Sequence, residues 1–236
     1  MGFELIPHKN GDDWRRSIVR RIVAQLREDL KTSERPVVLS LAGGSTPNAL
    51  YADLATHTDL DWSRIVVMPG DDRCVPHAHE SSNVRALREV FAPAIANGLT
   101  VAPLTADDES CSMDTGESMM ATYPMHFSVS VLGMGNDMHT ASLFPNSASL
   151  ALGVDPQSLS DVVTVIPDPL PPEAPFPRIS MTSQRLLRSR LVMVAIKGES
   201  KRDALHRALD LKDPMQAPIM AILGDDAHTT EIHWCP

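Results

Sequence analysis

The chain predicts an α/β fold, a mainly parallel sheet covered on both faces by helices. Three observations carry this. Short apolar runs alternate with helical segments along the chain, the pattern of crossover connections between parallel strands. A length of 236 residues suffices for one sizeable α/β domain. A hydrophobic content of 43% beside a charged content of 22% is that of a globular chain, not a disordered one.

The elements follow in order. Trp14, Ile18, Ile22, Leu26 and Leu30 recur every four residues, with Val19 and Val23 beside them, and predict a helix from Asp12 to about Lys31. Asp12 and Asp13 suit its amino end. Pro36 to Leu41 reads as a buried strand, and Pro47 suits the first turn of a second helix capped by Ser45 or Thr46. Ile65 to Met68 is a short strand. Asn83 to Phe91 reads as a helix through Val84, Leu87, Val90 and Phe91. Asp107 to Tyr123 is expected to be helical. Phe127, Val129 and Val131 alternate with Ser128 and Ser130, so Phe127 to Leu132 is a strand. Val162 to Ile166 and Leu191 to Ile196 are further strands, with a helix from Glu199 to Leu209. Thr230, Ile232 and Trp234 alternate with polar neighbours, which predicts an edge strand over 229–234. Between these, Pro167 to Pro177 holds six prolines and reads as a rigid surface loop.

Bulk properties exclude several function classes. A net charge of −9 argues against a general nucleic-acid or membrane-surface role, and no apolar run approaches the roughly 18 residues of a membrane span. An anionic ligand would therefore depend on a few local cations and backbone N–H groups. Cys74, Cys111 and Cys235 show neither metal spacing nor an even-numbered framework, and no signal peptide is evident, which suggests a reducing cytoplasm. The nine histidines are scattered, with His77 and His79 in a polar loop, so no metal is expected.

Four stretches carry chemistry. At Gly133-Met-Gly-Asn-Asp137-Met-His139 an apolar strand delivers two glycines, a carboxylate and an imidazole, where open α/β sheets bind ligands. At Gly43-Gly44-Ser45-Thr46-Pro47 a strand empties into bare backbone and a helix start, which suits a phosphate. The long nucleotide P-loop is absent, so a small sugar phosphate fits better than a nucleoside triphosphate. Asp71-Asp72-Arg73 follows another strand; it is either a solvated turn or a source of sugar contacts and positive charge. Arg178 follows the proline loop, and Lys201 lies in the first turn of a helix, where the macrodipole disfavours a cation unless an anion lies beside it.

In this order and spacing the motifs resemble the 6-phosphogluconolactonase family, within the wider group that includes glucosamine-6-phosphate deaminase/isomerase. The resemblance runs from Val37 to about Leu205. Its most specific parts are Gly-Gly-Ser-Thr-Pro at 43–47, Gly-Asp-Asp-Arg-Cys-Val-Pro at 70–76 with Ser82-Asn83 following, and Leu-Gly-Met-Gly-Asn-Asp-Met-His-Thr-Ala-Ser-Leu-Phe-Pro at 132–145. Arg178-Ile-Ser-Met-Thr182 and Gly198-x-x-Lys201 complete it.

The resemblance implies a three-layer α/β/α sandwich of NagB/RpiA-like type, as a single domain over 1–236. It implies a cytoplasmic enzyme of the pentose phosphate pathway that hydrolyses 6-phospho-D-glucono-1,5-lactone to 6-phosphogluconate without metal or organic cofactor. Gly43, Gly44, Ser45 and Thr46 would cradle the phosphate, with Arg178 and Lys201 as cationic partners. His139 matches the general base, and Asp71, Arg73 and Asp137 match the remaining polar positions. The small-molecule partner is a sugar phosphate, and oligomeric state is not readable.

Lactone hydrolysis needs an activated water and a stabilised oxyanion. A histidine, with an unperturbed pKa of about 6.5, is available as a base near neutral pH. Asp137 or Asp71 could orient it, and Arg73 or backbone N–H groups beside Gly133 and Gly135 could hold the oxyanion. No serine sits in a Gly-x-Ser-x-Gly elbow, so the expectation is direct attack by water.

Two positions depart from the family: Met138 stands where glycine is usual, and Asp72 where glutamate is usual. A positive φ at Met138 would strain the loop by roughly 1–3 kcal/mol, and its side chain could crowd the site. Met138 thus motivates a rival reading, a catalytically silent sugar-phosphate binder. A deaminase/isomerase is the other rival, but its catalytic glutamate is replaced here by Phe144, which cannot transfer a proton.

Overall fold

The computed structural model describes residues 2–172, 174–227 and 229–236, and the side chain of Ser45 also lies outside it. In chain order the strands are β1 (Phe3–Pro7), β2 (Val37–Leu41), β3 (Ile65–Pro69), β4 (Asp71–Arg73), β5 (Thr100–Val101), β6 (Phe127–Leu132), β7 (Val162–Val165), β8 (Arg178–Met181), β9 (Ser189–Lys197) and β10 (Thr230–Cys235). The helices are α1 (Gly11–Thr32), α2 (Ser45–Ala55), α3 (Asn83–Val90), α4 (Ala92–Ile95), α5 (Asp114–Thr122), α6 (Leu150–Val154), α7 (Ser183–Leu187), α8 (Glu199–Leu211) and α9 (Met220–Leu223).

Seven strands form one parallel sheet in the order β1-β10-β9-β6-β2-β3-β5. Its central strands are buried on both faces. Leu39, Leu41, Val129, Val131, Leu191 and Met193 pack against Trp14, Ile18, Ile22 and Leu26 of α1 on one side. Their neighbours Val38, Val66, Val192 and Val194 pack against Ala204, Leu205 and Ala208 of α8 on the other. The period of two in the strands thus divides one apolar run between two cores, and the α/β/α layering follows.

After β2 the chain builds outward to β3 and β5; after β6 it builds the other way, to β9 and β10. The carboxyl ends of β2 and β6 therefore border a crevice, the usual ligand position of an open parallel sheet. A second, antiparallel sheet, β4-β8-β7, stands beside it and pairs Asp71 with Ser180 and Arg73 with Arg178.

Several expectations change. The strand at 230–235 is not an edge: β10 lies between β9 and β1, and β1 closes the sheet. The short segment Phe3–Pro7 gives no periodic signal because its residues are only half-buried or exposed. The helix expected over 107–123 is confined to Asp114–Thr122. Side chains before it bond local backbone instead: Asp108 accepts from the Ser110 N–H at 2.7 Å and Ser112 from the Asp114 N–H at 3.1 Å. The start of α2 is capped by Gly44, with no side-chain hydrogen bond, rather than by Ser45 or Thr46.

Cys74 and Cys111 are joined as a disulfide, and Cys235 is buried and free. The odd cysteine count thus hid one bonded pair, and the cysteines no longer argue for a reducing compartment. No helix among the described residues is long and apolar enough to cross a membrane.

Candidate active site

A cavity of about 340 Å³ opens at the carboxyl ends of the central strands. Its walls include Gly43, Gly44 and Thr46 after β2, Asp71 and Arg73 of β4, Gly133 and Gly135 after β6, His139, Arg178 of β8, and Lys201 of α8. The fold thus brings nearly all the residues singled out from the sequence to one hollow. Ser45 begins α2 beside it, but its side chain lies outside the described residues.

The loop from Gly135 to His139 is closed by its own backbone. Gly135 N–H donates to the His139 carbonyl at 2.9 Å, and Met138 N–H to the Gly135 carbonyl at 3.0 Å. Asp137 Oδ1 lies 2.6 Å from His139 Nδ1. A Cβ on Gly135 would sit 2.2 Å from both of those atoms, so the pair forms only because that position is glycine. Burial works against the charge of Asp137, but the hydrogen bond and charge of His139 outweigh it and hold its carboxyl below the ordinary carboxylate value. An ionised Asp137 makes Nδ1 the donor and leaves the Nε2 lone pair free. Asp137, not Asp71, is therefore the carboxylate that orients His139.

Asp71 has other partners. It accepts from the buried Ser142 hydroxyl, and its charge faces Arg178. Burial holds the Arg178 guanidinium below its ordinary pKa; Asp71 opposes that and Arg73 adds to it. Arg73 and Arg178 are directly paired across β4 and β8, an arrangement of like charges that costs free energy until an anion joins them. Each also has a buried Nε without a partner. Lys201 is likewise lowered by burial, with Asp137 opposing. On a chain of net charge −9 the cavity is cationic: among the described wall residues Asp71 is the one acid beside Arg73, Arg178, Lys197 and Lys201.

Asn83 is a wall residue that the sequence placed only within a motif. Its Oδ1 accepts from Arg73 Nη1 at 2.5 Å and its Nδ2 donates to the Asp71 carbonyl at 2.6 Å. It also fills the space where Gly43 would carry a Cβ, 2.1 Å away. Only its place one residue past Ser82, the cap of α3, hinted at this role.

The two helices that start at the cavity, α2 and α8, both begin on glycine caps without side-chain acceptors. Their first N–H groups remain open to an anion. By contrast, α1, α3 and α7 carry side-chain caps from Asn10, Ser82 and Thr182.

The two family departures resolve differently. Met138 does adopt a positive φ of 66°. Its side chain is not in the cavity wall and instead packs on the apolar cluster around α8, so crowding of the site does not occur. Asp72 is fully buried and accepts from the N–H groups of Asn83 at 2.7 Å and Val84 at 3.0 Å, which caps α3. Burial raises its pKa, and those backbone donors oppose the shift.

Comparison with known proteins points to one family. The model of a family described as glucosamine-6-phosphate isomerases/6-phosphogluconolactonase matches residues 9–234. A 6-phosphogluconolactonase of Pseudomonas aeruginosa is 33% identical over 94% of this chain and 90% of its own. One from Helicobacter pylori is 30% identical over 99% of both chains. The crystal structure of a 6-phosphogluconolactonase from Shewanella baltica superposes with a TM-score of 0.89 at 28% identity, covering 98% of this chain and 97% of that one.

Proposed function

Because the chain belongs to the family of glucosamine-6-phosphate isomerases and 6-phosphogluconolactonases, we propose that the His139 cavity is where it hydrolyses its lactone. The reaction is conversion of 6-phospho-D-glucono-1,5-lactone to 6-phosphogluconate in the pentose phosphate pathway. The single observation that carries the assignment is the Asp137–His139 pair at 2.6 Å beside a cationic hollow.

His139 Nε2 takes a proton from water as the water oxygen bonds to the lactone carbonyl carbon. The carbonyl electrons move onto the exocyclic oxygen, and Arg73 or the Gly133 N–H stabilises them. The Gly135 N–H is already committed to the His139 carbonyl. Collapse breaks the ring C–O bond, and the proton passes from His139 to the departing ring oxygen, which becomes the 5-hydroxyl. One water is consumed and no covalent enzyme intermediate forms. The phosphate rests on the backbone of Gly43 to Thr46 and the open start of α2, with Arg178 and Lys201 as counter-charges. That anion offsets both the Arg73–Arg178 repulsion and the desolvation of Lys201.

The rivals lose support. Phe144 stands where a deaminase would need a proton-transferring carboxylate, and its ring lies tilted against His139 at 4.2 Å between centroids. The binding-only reading rested on Met138, which lies outside the cavity wall. A cytoplasmic location fits the metabolic role.

The test is 6-phosphogluconate formation from freshly generated lactone at mildly acidic pH, with wild type beside His139→Ala. Turnover should fall by about 10²–10⁴-fold in the variant. A near-normal rate would remove His139 from the mechanism.

A further inference from the structure

We propose that Phe144 is a positioning residue that holds His139 and Arg178 in one frame and so makes turnover depend on the substrate's phosphate. This rests on His139 as the base and Arg178 as a phosphate partner.

Phe144 is buried and is not part of the cavity wall. Its ring centroid lies 4.2 Å from that of His139, with the planes at 34°. Arg178 Cζ lies 4.8 Å from the same centroid, over the ring. One rigid side chain therefore touches both the base and a cation expected at the far end of the substrate. The ring sits in an apolar cluster with Leu143, Leu150, Val154, Val163 and Val165.

Each contact has a chemical reason. An aromatic face attracts the Arg178 guanidinium, which donates from Nη2 to the Ala174 carbonyl and whose Nε has no partner among the described residues. An aromatic ring likewise attracts the imidazolium that forms when His139 takes the proton. Asp137, itself half-exposed, holds only one edge of the His139 ring, a contact that by itself does not set the ring's tilt. Phe144 removes that tilt. A phosphate that fixes Arg178 fixes the ring against it, and through the ring the base.

The experiment compares wild type, Phe144→Leu and Phe144→Tyr on 6-phosphogluconolactone and on unphosphorylated glucono-1,5-lactone. Leucine keeps the apolar bulk without a ring face; tyrosine keeps the ring. The ratio of kcat/KM between the two lactones should fall about tenfold or more in Phe144→Leu, with most of the loss in kcat, and recover in Phe144→Tyr. An equal loss on both lactones, or none, overturns the proposal. A second measurement does not depend on turnover. Inorganic phosphate should shift the His139 ring C–H resonance in wild type and Phe144→Tyr but not in Phe144→Leu; an equal shift in all three overturns the proposal. Wild type that hydrolyses neither lactone would defeat the functional reading, and the resonance data alone would then decide the role of Phe144.

Discussion

At the scale of single residues, the proposed chemistry depends on a carboxylate two positions before the histidine it orients. Asp137→Asn keeps the shape and removes the charge that stabilises the imidazolium. Its kcat should fall between wild type and the roughly 10²–10⁴-fold loss expected of His139→Ala. A variant as fast as wild type would show that the charge is dispensable. The same pair predicts a pH effect. The folded pKa of Asp137 lies below its unfolded value, so its contribution to stability is complete above the ordinary carboxylate pKa. It is lost as pH falls through the lower folded value. The stability gap between wild type and Asp137→Asn, read from urea denaturation, should narrow as the pH falls from the ordinary carboxylate range into strong acid. Met138 makes the contrary case. It occupies a left-handed conformation that favours glycine, yet its side chain faces the core, so Met138→Gly should leave turnover unchanged. Faster turnover in that variant would restore the crowding idea.

At the scale of elements, the site is a product of two sheets. The parallel sheet supplies the glycine loops at the ends of β2 and β6, and the antiparallel one supplies Asp71, Arg73 and Arg178. Asn83, at the start of α3, joins them by touching Gly43 and holding Arg73. It cannot move aside alone, because Arg73 and the Asp71 carbonyl hold both ends of its amide. Gly43→Ala should therefore displace Asn83 and Arg73, and kcat/KM should drop by about tenfold or more while the fold persists. Normal kinetics would mean that the loop yields instead. The caps tell a related story. Asp72 spends its carboxylate on the start of α3, while α2 and α8 keep their starts open toward the cavity.

At the scale of the whole molecule, remote segments are tied together. His8 before α1 meets His233 of β10 at 2.9 Å, and Trp14 donates to the His233 carbonyl, which fastens the amino-terminal segment to the far strand. The Cys74–Cys111 bond closes a separation of 37 residues and anchors the loop before α5 to the residue after Arg73. Loop-closure entropy for that span gives an upper figure of about 4 kcal/mol. Cys111→Ser should thus unfold at a lower temperature than wild type under non-reducing conditions. A dithiol reductant should lower the wild-type midpoint and leave the variant's unchanged. A wild-type midpoint indifferent to reductant would show that the bond contributes nothing to stability.

The sequence by itself determined the α/β class, the central strands, helices α1, α3 and α8, and the motifs that carry His139, Asp137, Gly43, Arg73 and Lys201. These are local signals: a strand's alternation, a helix's fourfold spacing and a glycine turn are all written in consecutive residues. Only the tertiary structure decided that β10 is internal and that Phe3–Pro7 pairs beside it. It alone chose Asp137 over Asp71 as the partner of His139, set Arg73 against Arg178, placed Asn83 in the cavity wall and Phe144 behind it, and joined Cys74 to Cys111. Each of these is a contact between distant segments, fixed by register and by which face a side chain takes. A lone residue's neighbourhood in the chain carries no trace of either.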